Sequence, residues 1–208
     1  MEPANNISYK NILLSDDEQN DAGFGGNDGW AREPLIKYCN LPDDACCRLS
    51  AVPNGKYCIT VFDGETPIGH HNANESISHF AHDWKNIPDV RNDYQDNEIV
   101  VGLCNLLEDV TNNEYLLTQQ LEKYKKFAHK CGLMVMRNYE KRGIGSKLIE
   151  VCDGVLKENG VEVASVGTMN NCATSIYRKN GYNEYKLFNY RDYGLDLDGG
   201  YTIMYKIL

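Results

Sequence analysis

The chain has 208 residues, of which 42% are apolar and 25% charged, and a formal net charge of −9. That length and balance suit one globular domain with a real core. The acidic balance disfavours nucleic acid and fits a cationic partner, and no apolar run approaches a membrane span.

Residues 1–30 are polar and glycine-rich, ending in Ala22-Gly-Phe-Gly-Gly-Asn-Asp-Gly-Trp30. These glycines match neither a P-loop nor a dinucleotide fingerprint, so a mobile segment is expected, with residues 31–208 forming a single domain. The N-terminus has no basic region or apolar signal core, so a cytosolic location is expected. Ile12-Leu13-Leu14 is a candidate for part of a first strand. Tyr57–Phe62, Asp63-Gly64 and Pro67-Ile-Gly read as a hairpin, because Asp-Gly is a strong turn signal. Residues 72–98 are polar and predict a long surface excursion.

Thr111-Asn-Asn-Glu114 has the form of a capping box and predicts a helix to about Lys130, with Leu117, Leu121, Tyr124 and Ala128 on one face. Leu133–Met136 reads as a short strand. The spacing of Ile144, Leu148, Val151, Cys152 and Val155 predicts a helix from about Ile144 to Asn159, ended by Gly160. Val161–Val166 follows as a strand and Ala173–Lys179 as a short helix. Two aromatic-rich strands, near Tyr182–Tyr190 and Tyr201–Ile207, finish the chain. This order predicts an α/β domain built on a mixed, mostly antiparallel sheet flanked by helices.

The eight cysteines are scattered without a Cys-x-x-Cys pair. Buried or free thiols are therefore expected, rather than disulfides or a metal site. His70-His71 and His79-x-x-His82 lack a Cys, Asp or Glu set to complete a metal site. A surface or hydrogen-bonded role is expected for them, with His71 a reserve candidate for proton relay.

The chemistry concentrates between Leu133 and Ser146. There an apolar strand runs into the turn Arg137-Asn-Tyr-Glu-Lys-Arg-Gly-Ile-Gly145, and the turn opens a helix. Free backbone N–H groups and the positive end of the helix dipole point into such a turn, and Lys141 and Arg142 add two full charges. A phosphate-bearing ligand is expected there. Glycine matters because a diphosphate reaches backbone N–H groups only where no Cβ intervenes.

Turn and element order together resemble the GNAT superfamily of acetyl-CoA-dependent N-acetyltransferases, over residues 131–208. The resemblance implies a splayed central sheet and acetyl-CoA as co-substrate, without a metal. It implies that Leu133, Met134 and Val135 hold the pantetheine arm, and that Lys141, Arg142, Gly143, Ile144, Gly145 and Ser146 hold the pyrophosphate. Glu140 occupies the position that the family usually gives to Gln or Arg. Asn170-x-x-Ala173-x-x-x-Tyr177-x-Lys179-x-Gly181-Tyr182 resembles the family's second motif. By that likeness Asn170 contacts coenzyme A, and Tyr177 lies near the thioester sulfur, where it protonates the departing thiolate.

Two further stretches resemble the arylalkylamine N-acetyltransferases of invertebrates. Arg32-Glu33-Pro34-Leu35 is similar to a segment whose glutamate acts as general base, usually through water. Phe188-Asn-Tyr190-Arg-Asp-Tyr193 is similar to that family's Tyr-x-Asp-Tyr tail, and Tyr124-Lys-Lys-Phe127 to another of its elements. A base is required on physical grounds: an alkylammonium of pKa ~10.4 is protonated at neutral pH, and freeing the amine costs roughly 4–5 kcal/mol. A glutamate buried beside an apolar pocket rises toward the useful range. The expected activity is direct acetyl transfer to a primary amine, an arylalkylamine by the resemblance, with Glu33 and Tyr177 as catalytic residues. Two alternatives stay open. One is a GNAT enzyme acting on a polyamine, an aminoglycoside or a protein amino group; the other is a non-catalytic module that binds acyl-CoA. The expected partner is a small-molecule amine, with no nucleic acid or membrane, on a monomer or homodimer.

Overall fold

The computed structural model describes residues 6–12, 14–15, 42–50, 56–76, 87–168 and 171–208. The described strands form one sheet of seven, in the order β1-β2-β3-β4-β5-β7-β6. In chain order the elements are β1 (Ile7–Asn11), α1 (Asp43–Ser50), β2 (Tyr57–Asp63), β3 (Thr66–Ser76), α2 (Ile87–Asp93), α3 (Glu98–Gln120) and β4 (Phe127–Val135). They continue with α4 (Ile144–Glu158), β5 (Val163–Thr168), α5 (Asn171–Lys179), β6 (Asn183–Asn189) and β7 (Gly200–Ile207). Every pairing is antiparallel except β4 with β5. The mixed, mostly antiparallel sheet expected from the sequence is the one observed.

Side chains alternate across a strand, and this sheet uses both faces. Phe127, Val163, Tyr201 and Ile203 pack against α3 through Leu103, Leu106, Val110 and Leu117. Ala128, Ala164 and Met204, the residues next along the same strands, pack against α4 through Leu148, Ile149, Cys152 and Leu156. Each such leucine, fully buried, contributes about 1.5–3 kcal/mol. Two helical layers therefore sandwich the sheet. The predicted hairpin is present, with the Asp63-Gly64 turn joining β2 to β3.

Three expectations need correction. The helix predicted to begin at Thr111 begins at Glu98, capped by Asn97, whose side chain accepts from the Val100 N–H at 3.2 Å. Thr111 lies inside it, its hydroxyl donating to the Leu107 carbonyl at 2.9 Å. The same helix stops at Gln120, and Phe127–Lys130, read as its last turn, opens β4. Leu117, Leu121, Tyr124 and Ala128 fall at helical spacing by coincidence. The excursion predicted over residues 72–98 is partly regular, since β3 runs to Ser76 and α2 occupies Ile87–Asp93. The first strand covers Ile7–Asn11, just before the Ile12–Leu14 run.

Candidate active site

The two parallel strands at the centre of the sheet part company. β4 pairs with β5 only from Phe127–Lys130 against Val163–Val166. Beyond Lys130, among the described residues, β4 has no strand partner on that side, while β3 stays paired along its other edge as far as Val135. Leu133, Met134 and Val135 line this split, all half-buried, and offer backbone groups for hydrogen bonding to an extended ligand.

A bulge marks the point of divergence. His71 pairs with Leu133 and Asn72 with Cys131, so Gly132 is one residue extra on β4. Its φ of +51° is the left-handed region that glycine enters without steric cost. The insertion resets the alternation. Lys130, Leu133 and Val135 therefore all face the α4 layer, where an unbroken strand would turn Leu133 away.

From the split the chain enters the turn. A 3-10 helix at Arg137–Tyr139 leads to Lys141, at φ +60° the one non-glycine with positive φ among the described residues, and to Gly143 at φ +82°. Gly143 is the N-cap of α4 and offers no side-chain cap, and the first intrahelical bond is from Lys147 N–H to the Gly143 carbonyl. The N–H groups of Ile144, Gly145 and Ser146 thus have no acceptor within the helix. Lys141, Arg142 and Gly143 are exposed, Gly145 and Ser146 half-buried, and Ile144 is buried in the core. An open set of donors at a helix N-terminus, flanked by two cations, fits a diphosphate.

Two contacts hold this turn in place. The Tyr139 hydroxyl donates to Asp63 in the β2–β3 turn at 2.9 Å, and the Arg142 guanidinium lies 5.0 Å from the centre of the Tyr139 ring. The Asn180 side chain, just past α5, donates to Ser146 Oγ at 3.2 Å.

Tyr177 sits on α5, buried to 3% exposure, with Tyr182 edge-on at 5.3 Å between ring centres. Its hydroxyl lies 3.4 Å from His71 Nε2, and His71 Nδ1 lies 2.9 Å from the Gly132 carbonyl. Burial pushes the Tyr177 phenol well above its usual value, with the charges of Cys152, Asp153 and Cys131 adding to it. Burial also lowers His71 to about 3, reinforced by the Lys130 charge.

Beneath Tyr177 lies a buried charge network. Lys130, 1% exposed, is ion-paired with Asp153 and donates to the Ile149 carbonyl at 3.2 Å. Asp153 also accepts from Lys206 at 2.8 Å and from the Tyr182 hydroxyl at 2.7 Å. Burial by itself would raise the Asp153 carboxyl. The Lys130 charge and the bonds from Lys130, Lys206 and Tyr182 outweigh it and hold the group below its usual value.

The structure therefore brings Leu133–Val135, the Lys141–Ser146 turn and Tyr177 around one split in the sheet. Glu33 and Asn170 lie outside the described residues. Sequence reasoning left His71 in reserve and missed Gly132 and the Asp63–Tyr139 contact. A glycine inside a strand is a bulge signal, but Gly132 fell between the helix expected to reach Lys130 and the strand expected from Leu133, so it did not read as one. No group of three or more His, Cys, Asp or Glu side chains able to hold a metal occurs among the described residues.

Residues 93–184 match the family described as an acetyltransferase (GNAT) domain. No curated protein matches the sequence. Among solved structures, an agmatine N-acetyltransferase mutant in its apo form superposes with a TM-score of 0.68 at 14% identity, over 98% of this chain and 100% of its own. Arylalkylamine N-acetyltransferase 2 of Aedes aegypti gives 0.68 at 18% identity, over 98% and 99%. The polyamine N-acetyltransferase of Drosophila melanogaster gives 0.66 at 16%, over 98% and 100%. The split parallel pair, the glycine turn and these likenesses define the class of fold: the chain has the fold of the GNAT acetyltransferases, and its residues 93–184 match the model of their domain.

Proposed function

We propose that this protein transfers the acetyl group of acetyl-CoA directly to a primary amine, and that the amine is an arylalkylamine. The observation that carries the reading is the split between β4 and β5, opened at Gly132 and leading into an uncapped helix N-terminus. Such a split offers backbone groups to a pantetheine arm, and the turn offers N–H groups and cations to its diphosphate. Leu133, Met134 and Val135 hold the arm. Lys141, Arg142, Gly143, Ile144, Gly145 and Ser146 hold the diphosphate, and Asn170 makes a further contact with the coenzyme. Acetyl-CoA supplies an electrophilic thioester carbon. A backbone N–H of the Leu133–Val135 strand polarises its carbonyl, and much of the rate comes from orientation.

Glu33 takes the proton of the attacking amine through water as the C–N bond forms. As the C–S bond breaks, the Tyr177 hydroxyl gives its proton to sulfur and regains one from water when the thiol leaves. The high pKa of Tyr177 keeps it a phenol at every working pH. Donation stays feasible because the same interior raises thiols: burial pushes Cys152 to about 11 and Cys131 to about 12. A thiolate formed beside them is destabilised in the same way, so donor and acceptor rise together.

The second reading is an acceptor of the agmatine or polyamine type. The net charge of −9 favours it, and the likeness to an agmatine enzyme equals that to the arylalkylamine enzyme in TM-score. Incubation with acetyl-CoA and a panel of tryptamine, dopamine, octopamine, agmatine and spermidine, read by mass spectrometry, separates the two. Acetylated aryl monoamines alone support the first; acetylated agmatine or spermidine replaces it with the second. Tyr177→Phe and Glu33→Ala are expected to lower turnover by about 10²-fold or more, with acetyl-CoA binding nearly intact. Full turnover in both variants would remove the roles given to these residues, and failure to bind acetyl-CoA would remove the enzyme reading.

A further inference from the structure

A carbonyl oxygen can only accept a hydrogen bond, so the 2.9 Å contact between His71 and the Gly132 carbonyl requires the proton on Nδ1. The imidazole is fully buried and its charged form is disfavoured, so Nε2 bears a bare lone pair. The Tyr177 hydroxyl, 3.4 Å from that nitrogen, can then only donate to it. Both partners are fixed by other contacts. His71 is paired in register with Leu133, and Tyr177 is braced by the edge-on ring of Tyr182. The titratable groups around the pair are His70 on β3, Lys130 and Cys131 on β4, Cys152 and Asp153 on α4, and Tyr182 after α5.

We propose that His71 is the positioning residue for Tyr177: held as the Nδ1–H tautomer by the bulge carbonyl of Gly132, its Nε2 accepts a hydrogen bond from the phenol hydroxyl and keeps it protonated, and the hydroxyl turns from Nε2 to the sulfur as it gives up that proton. Hydrogen bonding to the neutral form of an acid favours that form. The opposite tautomer would donate to the oxygen and favour the phenolate, which has no proton to give. The β4 bulge thus does two things at once: it opens the strand and sets the protonation pattern of the residue beside it. The kinetic consequence rests on the acetyl-transfer reading, and the tautomer and its contact do not.

The first test therefore needs no substrate. Long-range proton–nitrogen NMR of 15N-histidine-labelled protein, with His71 assigned by its loss in His71→Gln, is expected to show Nδ1 protonated and Nε2 bare. Tyr177→Phe is expected to shift the Nε2 resonance. A protonated Nε2, or an Nε2 resonance indifferent to Tyr177→Phe, overturns the proposal. In the amine assay His71→Phe is expected to lower kcat by about 10²-fold, leave acetyl-CoA affinity within about twofold, and add nothing to Tyr177→Phe. His71→Gln, whose side-chain oxygen can accept in place of Nε2, is expected to recover most of the loss; His71→Met replaces His71→Phe if the latter fails to fold by circular dichroism. Full turnover in His71→Phe overturns the proposal. A wild-type protein that acetylates no amine removes the acetyl-transfer reading, and the NMR result still decides the pair.

Discussion

At the scale of single residues, the turn carries one charge that works against the diphosphate proposed for it. Glu140 is exposed and follows directly on the 3-10 helix, next in sequence to the exposed cations Lys141 and Arg142. A carboxylate there repels a diphosphate by about 0.3–1 kcal/mol at low salt, the ordinary worth of a charge near a helix terminus. Glu140→Gln is accordingly expected to tighten acetyl-CoA binding roughly two- to fivefold by calorimetry, with the gain shrinking as salt is raised. Equal affinity in the two proteins would mean that Glu140 points away from the diphosphate. Glu140 was visible in the sequence because a motif has fixed positions and a misfit stands out. The His71–Tyr177 contact was not, since it joins residues 106 apart in the chain and depends on a bulge whose register only the folded sheet sets. The Lys130–Asp153 pair was hidden for a similar reason. Lys130 was expected to end a helix, whereas it lies in β4, on the face that α4 covers.

Among the elements, the β2–β3 turn acts at a distance from its own strands. Its Asp63 accepts from Tyr139, whose ring carries Arg142, so the hairpin tip braces the loop that opens α4. A half-buried hydrogen bond of this kind is worth about 0.5–1.5 kcal/mol. Asp63→Ala and Tyr139→Phe are each expected to weaken acetyl-CoA binding roughly 2- to 10-fold, and the double variant to do no more than either alone. Unaltered affinity in both would mean that the loop holds its shape without the hairpin. Elements in the second half of the chain were legible because their periodicity and their stops agree: α4 carries its apolar stripe and ends before Gly160, and α5 ends at Asn180-Gly181. The middle of the chain was not. Thr111–Glu114 has the composition of a cap but lies mid-helix, where the threonine hydroxyl bonds back to Leu107. The true start at Asn97 is announced only by a single asparagine. Phe127–Lys130 was misread because its polar residues, His129 and Lys130, are buried on opposite faces of the central strand, which no amphipathic pattern can signal.

On the scale of the whole molecule, the buried imidazoles of β3 make stability depend on pH. Burial lowers His70 to about 4 and His71 to about 3, against ~6.5 in an unfolded chain. As pH falls through ~6.5 the unfolded chain takes up two protons that the folded one refuses, so it is the unfolded state that gains. Stability is fully present above ~6.5 and declines by roughly 1.4 kcal/mol per pH unit for each histidine until the folded values are reached. Asp153, held below its usual value, adds to the loss only at more acid pH. Urea unfolding at pH 7.5 and at pH 5.5 is therefore expected to differ by roughly 2–3 kcal/mol. His71→Gln is expected to remove about half of that difference, because the substituted side chain has no proton to gain. A profile that is flat between those two pH values would show that both rings take up their protons in the folded sheet as readily as in water. It would also confine the neutral Nε2, and with it the proposed alignment of Tyr177, to pH above ~6.5. The same burial that raises the Tyr177 phenol and keeps His71 neutral thus costs the fold its resistance to mild acid.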